Sequence, residues 1–575
     1  MEYDLLIKNG RVVDGSGMPS FHGDVGVKAG KIVERGKLSG NAKRVIDADG
    51  LVVAPGFVDN HCHYDAQVTW DSLCTFSCYH GATTVIIGNC SLSLAPVRPG
   101  SQDRLAEFLS YVEAIPMDVL RTVDFSWETV PQYMDSLESR LGVNVGTLVG
   151  HSAVRHYVMG DECQGRPATG DEIEAMQDIV REAINAGALG LSISKNMGHT
   201  DPQGVLVPAV HATEAEIFAL GGVLRELGTG IIQGGGGRAA ETKNRLMSRL
   251  SEATGRQVVY NNLGQTARNP NGWKELMAII DETSQAGIRA YPLCSPLSNA
   301  SRFTMRNCQL FRGIPSWFPI LRAEDDEKLQ AYRDPQVRQK LHAEAVDWSG
   351  DTPDTNLARN WYDYMWVDEW VDEWVDEPVL EKNQGFAGKT INELAQMQGK
   401  GIIDAFLDLV VEENLDTGFK HGNNNVDREA VAQILNYPNA IVGLSDGGAH
   451  VQFQGGYGYS THLLGYWVRE QQIMSLEQAV RRLTFESATT FGIYDRGLLH
   501  PGMAADITIF DPDTVSPTNE EVVHDFPKGA WRIRTLAEGI KCTIVNGEVL
   551  IEDGEHTGAL PGKVMRNALY HANQG

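Results

Sequence analysis

Cysteine is scarce: the 575 residues hold eight, at positions 62, 74, 78, 90, 163, 294, 308 and 542, with no Cys-x-x-Cys pair. That excludes a disulfide scaffold and fits a reducing, cytoplasmic setting. No uncharged apolar run reaches the roughly 18 residues that a membrane span needs. The opening Met1-Glu2-Tyr3-Asp4-Leu5-Leu6-Ile7-Lys8 has no basic stretch leading into an apolar one, so no signal peptide is expected. Positive charge is also short: 49 Lys and Arg against 75 Asp and Glu leave a net charge of −26. Nucleic acid and anionic membrane surfaces, which want clustered cations, are therefore not expected partners. No Gly-x-Gly-x-x-Gly follows a strand, and Gly234–Gly237 lacks the Lys-Ser/Thr of a phosphate loop. A composition 42% hydrophobic and 22% charged does allow a large buried core.

Both ends read as β-structure. Asp4–Ile7 and Arg11–Val13 flank Asn9-Gly10, and Cys542–Val545 and Val549–Ile551 flank Asn546-Gly547; each pair carries a hairpin signal. Ile32–Glu34, Val45–Asp47 and Ile507–Phe510 are further short strands. One small β-sandwich assembled from residues 1–54 and 501–575 is expected, the alternative being two unrelated appendages. The middle, 55–500, alternates. Eight apolar, β-branched runs occur at Leu51–Val58, Thr83–Ile87, Val143–Val149, Ala188–Ile193, Gly228–Gln233, Gln257–Asn261, Ile288–Leu293 and Ala440–Leu444. Helical stretches separate most of them, with capping-box starts at Thr169-x-x-Glu172, Thr213-x-x-Glu216 and Ser475-x-x-Gln478. Strand and helix in eightfold alternation predict an α/β fold of the (β/α)₈ barrel type, with a doubly wound open sheet as competitor. The stretch between the seventh and eighth runs is too long for a structureless loop. Its helical patterns at Asp326–Trp348, Thr390–Gln398 and Ile402–Glu412 predict an inserted subdomain, about 297–439, over the barrel mouth. A Trp-Val-Asp-Glu repeat there puts Trp366, Trp370 and Trp374 at helical spacing, as a packing or oligomer face or as a substrate wall.

Barrel enzymes carry their chemistry at the C-terminal ends of strands. The first run ends Pro55-Gly56-Phe57-Val58-Asp59-Asn60-His61-Cys62-His63. Residues two apart on a strand point the same way, so His61 and His63 form a candidate metal pair. Cys90 after the second run is a soft ligand or an inert thiol. His151 after the third is a catalytic polariser or a satisfied histidine. Lys195 after the fourth is a solvent-reaching amine, a substrate contact or, modified, a metal ligand. Asp446 after the eighth is placed to take a proton from an activated water and to touch the metal. Arg155, Gln233, Asn262, Tyr291 and His450 are candidate substrate contacts.

These segments resemble the amidohydrolase superfamily, and within it the D-aminoacylase branch of N-acyl-D-amino-acid deacylases. The likeness runs through Pro55–Asp65, Gly81–Pro96, Val149–Arg155, Gly187–Ser192, Val442–Gly448, Leu476–Gly492 and Pro501–Thr514. It implies a metal-dependent barrel hydrolase of C–N amide bonds acting on a small molecule, and a possible homo-oligomer. It also implies zinc held by His61, His63 and Cys90, and Asp446 as catalytic base. Two departures stand out. The branch's metal histidines after strands five and six are replaced by Gln233-Gly234 and Asn261-Asn262. Lys195 stands where other superfamily members carry a carboxylated bridging lysine. One or two zinc ions are open, with one favoured. The branch's basic residues for the substrate carboxylate are replaced near Gly264 and His462. A cyclic-amide, lactone or C–C hydrolase on the same frame, or a non-catalytic assembly protein, are the competing readings.

Overall fold

The computed structural model describes residues 2–235, 240–298, 300–347, 357–368 and 380–574. Eight parallel strands follow one another in chain order: β1 (Phe57–Asp59), β2 (Ala82–Ile87), β3 (Asn144–Gly150), β4 (Gly190–Ser194), β5 (Ile231–Gly235), β6 (Val258–Tyr260), β7 (Ala290–Cys294) and β8 (Ile441–Val442). All eight coincide with the apolar runs of the sequence, because strands covered on both faces have no polar face to display. The ring closes just beyond the strand ends. Cys62 makes a parallel bridge to Gly447, Asp446 N–H donates to the His61 carbonyl (3.1 Å) and His63 N–H to that of Gly447 (2.7 Å). The fold is a (β/α)₈ barrel, and the open-sheet alternative falls. Aliphatic side chains fill its inside, among them Val58, Ile86, Leu148, Leu189, Val259 and Leu293.

Strands from both termini form one nine-stranded mixed sheet. It curls until turns at opposite ends of the strand order touch: a Cβ on Gly547 would stand 3.0 Å from Gly30 Cα. The sheet thereby encloses its own core of Val25, Val27, Ile32, Ile507, Ile544 and Val549. The two Asn-Gly pairs behave differently. Val545 pairs with Glu548, so Asn546 (φ 48°) and Gly547 (φ 86°) make the expected two-residue turn. Asn9-Gly10, by contrast, lies inside the unbroken strand Glu2–Val12, at a register shift between Ile7 and Gly10. It is a bulge, because a Cβ at Gly10 would run into Val53 Cγ2 at 2.4 Å.

The insertion between β7 and β8 has its own aromatic core, with Phe311, Trp317, Trp361 and Phe406 buried together. Two of the expected helical stretches are there as Ile391–Gln398 and Ile402–Glu412. The third divides at Asp334-Pro335 into Asp325–Arg333 and Pro335–Ala345, since proline cannot continue a helix. A three-stranded antiparallel sheet of Ser301–Phe303, Phe419–His421 and Met365–Val367 was not foreseen. Trp366 sits in its last strand rather than on a helix, which ends the helical-stacking reading at that residue; Trp370 and Trp374 lie outside the described residues. Arg302 N–H donates to the Phe453 carbonyl (2.8 Å) and Gln309 Nε2 to that of Tyr111 (3.3 Å). The insertion is thus tied to the loop after β8 and to helix α1 (Gln102–Glu113).

Candidate metal centre

Ring closure makes residues from the two ends of the barrel neighbours. His61 Nε2 lies 3.4 Å and His63 Nε2 4.0 Å from Asp446 Oδ1. Cys90 Sγ is 3.6 Å from His61 Nε2, and one donor atom each of His61, His63 and Cys90 fit within 4.8 Å of one another. Two ligands bound at about 2.0–2.3 Å with tetrahedral angles are about 3.3–3.8 Å apart. Two imidazoles and a thiol at these spacings fit a divalent zinc-like cation. Burial supports this: His61 is fully buried and His63 nearly so, and burial depresses the His61 imidazole to about 3, so both rings are neutral donors. Burial, reinforced by the charge of Asp59, lifts the Asp446 carboxyl to about 7. A cleft lined in part by Leu297, Ser298, Gln454 and Glu520 reaches it.

Local backbone explains how the side chains arrive. Cys90 (φ 54°), Ser91 (φ 69°), Leu444 (φ 67°), Asp446 (φ 49°) and His450 (φ 50°) all take left-handed conformations without being glycine. Such positions cost of order 1–3 kcal/mol each and gather where geometry is held for function. Before Cys90, Gly88 is obligatory, since a Cβ there would meet the Leu148 carbonyl oxygen at 2.2 Å.

Several residues singled out from the sequence stand elsewhere. His151 and Arg155 do not face a substrate. His151 Nε2 is 2.8 Å from Glu216 Oε1, Arg155 Nη1 pairs with Glu216 Oε2, and all three side chains are fully buried. Arg155 Nε also donates to the Cys163 carbonyl (2.9 Å). Lys195 donates to the carbonyls of Val210 (2.8 Å) and Ala212, and it is not part of the His61–His63–Cys90 donor group. Gln233 is wholly buried and accepts from Cys90 N–H (2.9 Å) instead of meeting substrate. Tyr291 packs on the aliphatic filling of the barrel. Asn262 turns toward Gly264, while its neighbour Asn261 enters the centre. His450 does stay at the mouth, where its imidazole is felt by His63.

Sequence reasoning missed Glu113. Its Oε1 is 3.3 Å from His63 Nδ1, the ring nitrogen turned away from Asp446, and its carboxyl is raised well above the usual range by burial and by Asp446 and Asp65. A carboxyl at that position is placed where a group that orients a metal-binding imidazole would stand. One signal was available: Glu113 ends α1, where the helix dipole disfavours an anion. Glu113→Gln is expected to weaken metal binding by about 10–100-fold, read by chelator competition.

Comparison with known proteins gives the family. The model of the amidohydrolase family matches residues 44–551. D-aminoacylase of Alcaligenes xylosoxydans xylosoxydans is 28% identical over 98% of this chain and 97% of its own length. N-acyl-D-aspartate deacylase of the same organism is 28% identical over 98% and 95%. A solved D-aminoacylase, described by its binuclear metal centre with one-metal activation and second-metal attenuation, superposes with TM-score 0.66 at 25% identity, covering 98% of this chain and all of that one. Among the described residues no helix is long and apolar enough to cross a membrane. With a catalytic barrel, a cation-ready donor set and a family match over most of its length, the chain belongs to the amidohydrolase family and is a metal-dependent hydrolase of C–N amide bonds.

Proposed function

We propose that the chain deacylates N-acyl amino acids, in the manner of the D-aminoacylases, with zinc as its cation and residues 55–500 as the catalytic domain on a support built from 1–54 and 501–575. The observation that carries this is Asp446 Oδ1 standing 3.4 Å from His61 Nε2 beside the His61–His63–Cys90 donor set. His61, His63 and Cys90 would hold the cation. When bound, it supplies Lewis acidity to a water and to the scissile carbonyl. Asp446 takes a proton from the attacking water as its oxygen bonds to the acyl carbon. When the C–N bond breaks, Asp446 passes that proton to the leaving nitrogen, giving a carboxylate and a free amine.

The substrate carboxylate needs a cation near the mouth, and Arg312 of the insertion is placed to serve. Its Nη1 donates to Gln309 Oε1 (2.9 Å), and its Nη2 would be 2.9 Å from a Cβ on Gly198. Its charge bears on His199 and His450, which in turn bear on His63. A guanidinium takes a carboxylate with two parallel hydrogen bonds.

The test is a panel of N-acetyl-D- and N-acetyl-L-amino acids, N-acetyl amines, cyclic amides and lactones, assayed on zinc-loaded protein. Turnover of an N-acyl amino acid with a preference for one enantiomer supports the reading; turnover of cyclic amides or lactones alone rejects it. Arg312→Ala is expected to raise KM for the carboxylate-bearing substrate by about 10–100-fold. The same variant should leave an N-acetyl amine unaffected.

A further inference from the structure

The positions after β5 and β6 are occupied by two amides whose orientations the backbone dictates. Cys90 N–H can only donate, and it donates to Gln233 Oε1 at 2.9 Å. The Gly234 carbonyl can only accept, and it takes Gln233 Nε2 at 3.1 Å. These two contacts fix which end of the Gln233 amide is which. Its Nε2 therefore also faces Asn261, donating to Oδ1 at 3.2 Å. That leaves the Asn261 NH₂ pointing at the centre, 3.4 Å from Cys90 Sγ and 3.3 Å from His61 Nε2. Reversing the Asn261 amide would set NH₂ against NH₂; reversing both amides would set oxygen against the Gly234 carbonyl and NH₂ against Cys90 N–H.

We infer that Gln233 and Asn261 are positioning residues, an orientation-locked relay that holds a donor on the Cys90 sulfur and withholds both amide oxygens from the centre, which therefore takes one cation and not two. The inference rests on the metal centre proposed above. Within it, the cation's donors are His61, His63 and Cys90, with Asp446 beside them. The relay supplies the thiolate with a charge-assisted hydrogen bond, which fixes Sγ in place. A second cation would need further donors, and the amide oxygens of Gln233 and Asn261 beside the centre are already taken by Cys90 N–H and Gln233 Nε2.

The experiment loads the full chain with zinc or cobalt(II) and reads metal content by elemental analysis, affinity by chelator competition and the thiolate-to-cobalt absorption band. One equivalent per chain is expected. Asn261→Leu, which keeps the volume and removes the donor, should weaken binding by about 10–100-fold and shift the band. Asn261→Asp, which keeps the shape and offers an oxygen, should tighten binding instead, and it reads the relay even if the leucine variant fails to fold. Gln233→His with Asn261→His should raise the content to two equivalents. Two equivalents in the unaltered chain, or affinity and band unchanged in both Asn261 variants, would overturn the relay. No bound metal in the unaltered chain would instead overturn the metal centre itself.

Discussion

Asp446→Asn is expected to lower kcat by about 10²–10⁴-fold while the protein keeps its bound zinc. The substitution preserves shape and removes the carboxyl that would carry a proton between water and the leaving nitrogen. The side chain cannot easily be replaced by a neighbour. Its backbone is held by the Asp446 N–H to His61 carbonyl bond (3.1 Å) in a left-handed conformation with φ 49°. The adjacent Ser445 hydroxyl is committed to Asp59 Oδ2 (2.8 Å), and Glu113 stands on the opposite side of the His63 ring, 3.3 Å from its Nδ1. The pair of measurements matters, because they separate roles. His61→Ala with His63→Ala should lose stoichiometric zinc and turnover together, whereas Asp446→Asn should lose only turnover. An Asp446→Asn enzyme with near-full turnover would remove the carboxylate from proton transfer, whereas one stripped of zinc would instead make it a metal-holding group. Activity and elemental analysis on the same preparation decide it.

Legibility in the sequence followed the range of the forces involved. The eight barrel strands and the pairing of the terminal segments were readable because burial on both faces writes itself into local composition. His61, His63 and Asp446 were readable because strand ends in a barrel have a fixed destination. What failed was the destination of single side chains whose partners no strand pattern or strand-end position fixes. Thr169-x-x-Glu172 and Thr213-x-x-Glu216 look alike as strings. In the first, Glu172 returns to the Thr169 N–H and completes the box. In the second, Thr213 still caps the Glu216 N–H, but the carboxylate is drawn off to His151 and Arg155. Lys195 was placed by its position on a strand, yet two carbonyls in a loop that composition could not locate decide where its ammonium goes. At the end of β6 the sequence named Asn262 as a substrate contact, and it is Asn261 whose amide stands beside His61 and Cys90. With period-two alternation, a one-residue error sends a side chain to the other face.

Glu216 underlies the second large effect, on stability. Glu216→Ala is expected to cost about 3–5 kcal/mol, measured by chemical denaturation. The substitution strands a fully buried guanidinium: Arg155 would retain backbone carbonyls but no anion. His151 cannot compensate, because an imidazole supplies no anion whether neutral or protonated. Hydrogen bonds from His151 and Arg155 hold the Glu216 carboxyl below its usual range despite burial. A carboxyl depressed in the folded state contributes stability above its unfolded value, and that contribution disappears as the pH falls through the lowered one. The Ala variant should accordingly lose part of the protein's acid sensitivity along with its stability. The companion Glu216→Leu with Arg155→Met removes both charges and refills the space. It should be markedly more stable than Glu216→Ala, because the cost lies in the orphaned charge rather than in the lost attraction. In the first turn of helix α2 (His151–Met159), which carries His151 and Arg155, Ser152 Oγ contacts Ser91 Oγ (2.9 Å), one residue beyond Cys90. The network therefore braces the loop that presents the thiol, and a variant that weakens it should also release zinc more readily to a chelator, although none of its three residues touches the cation.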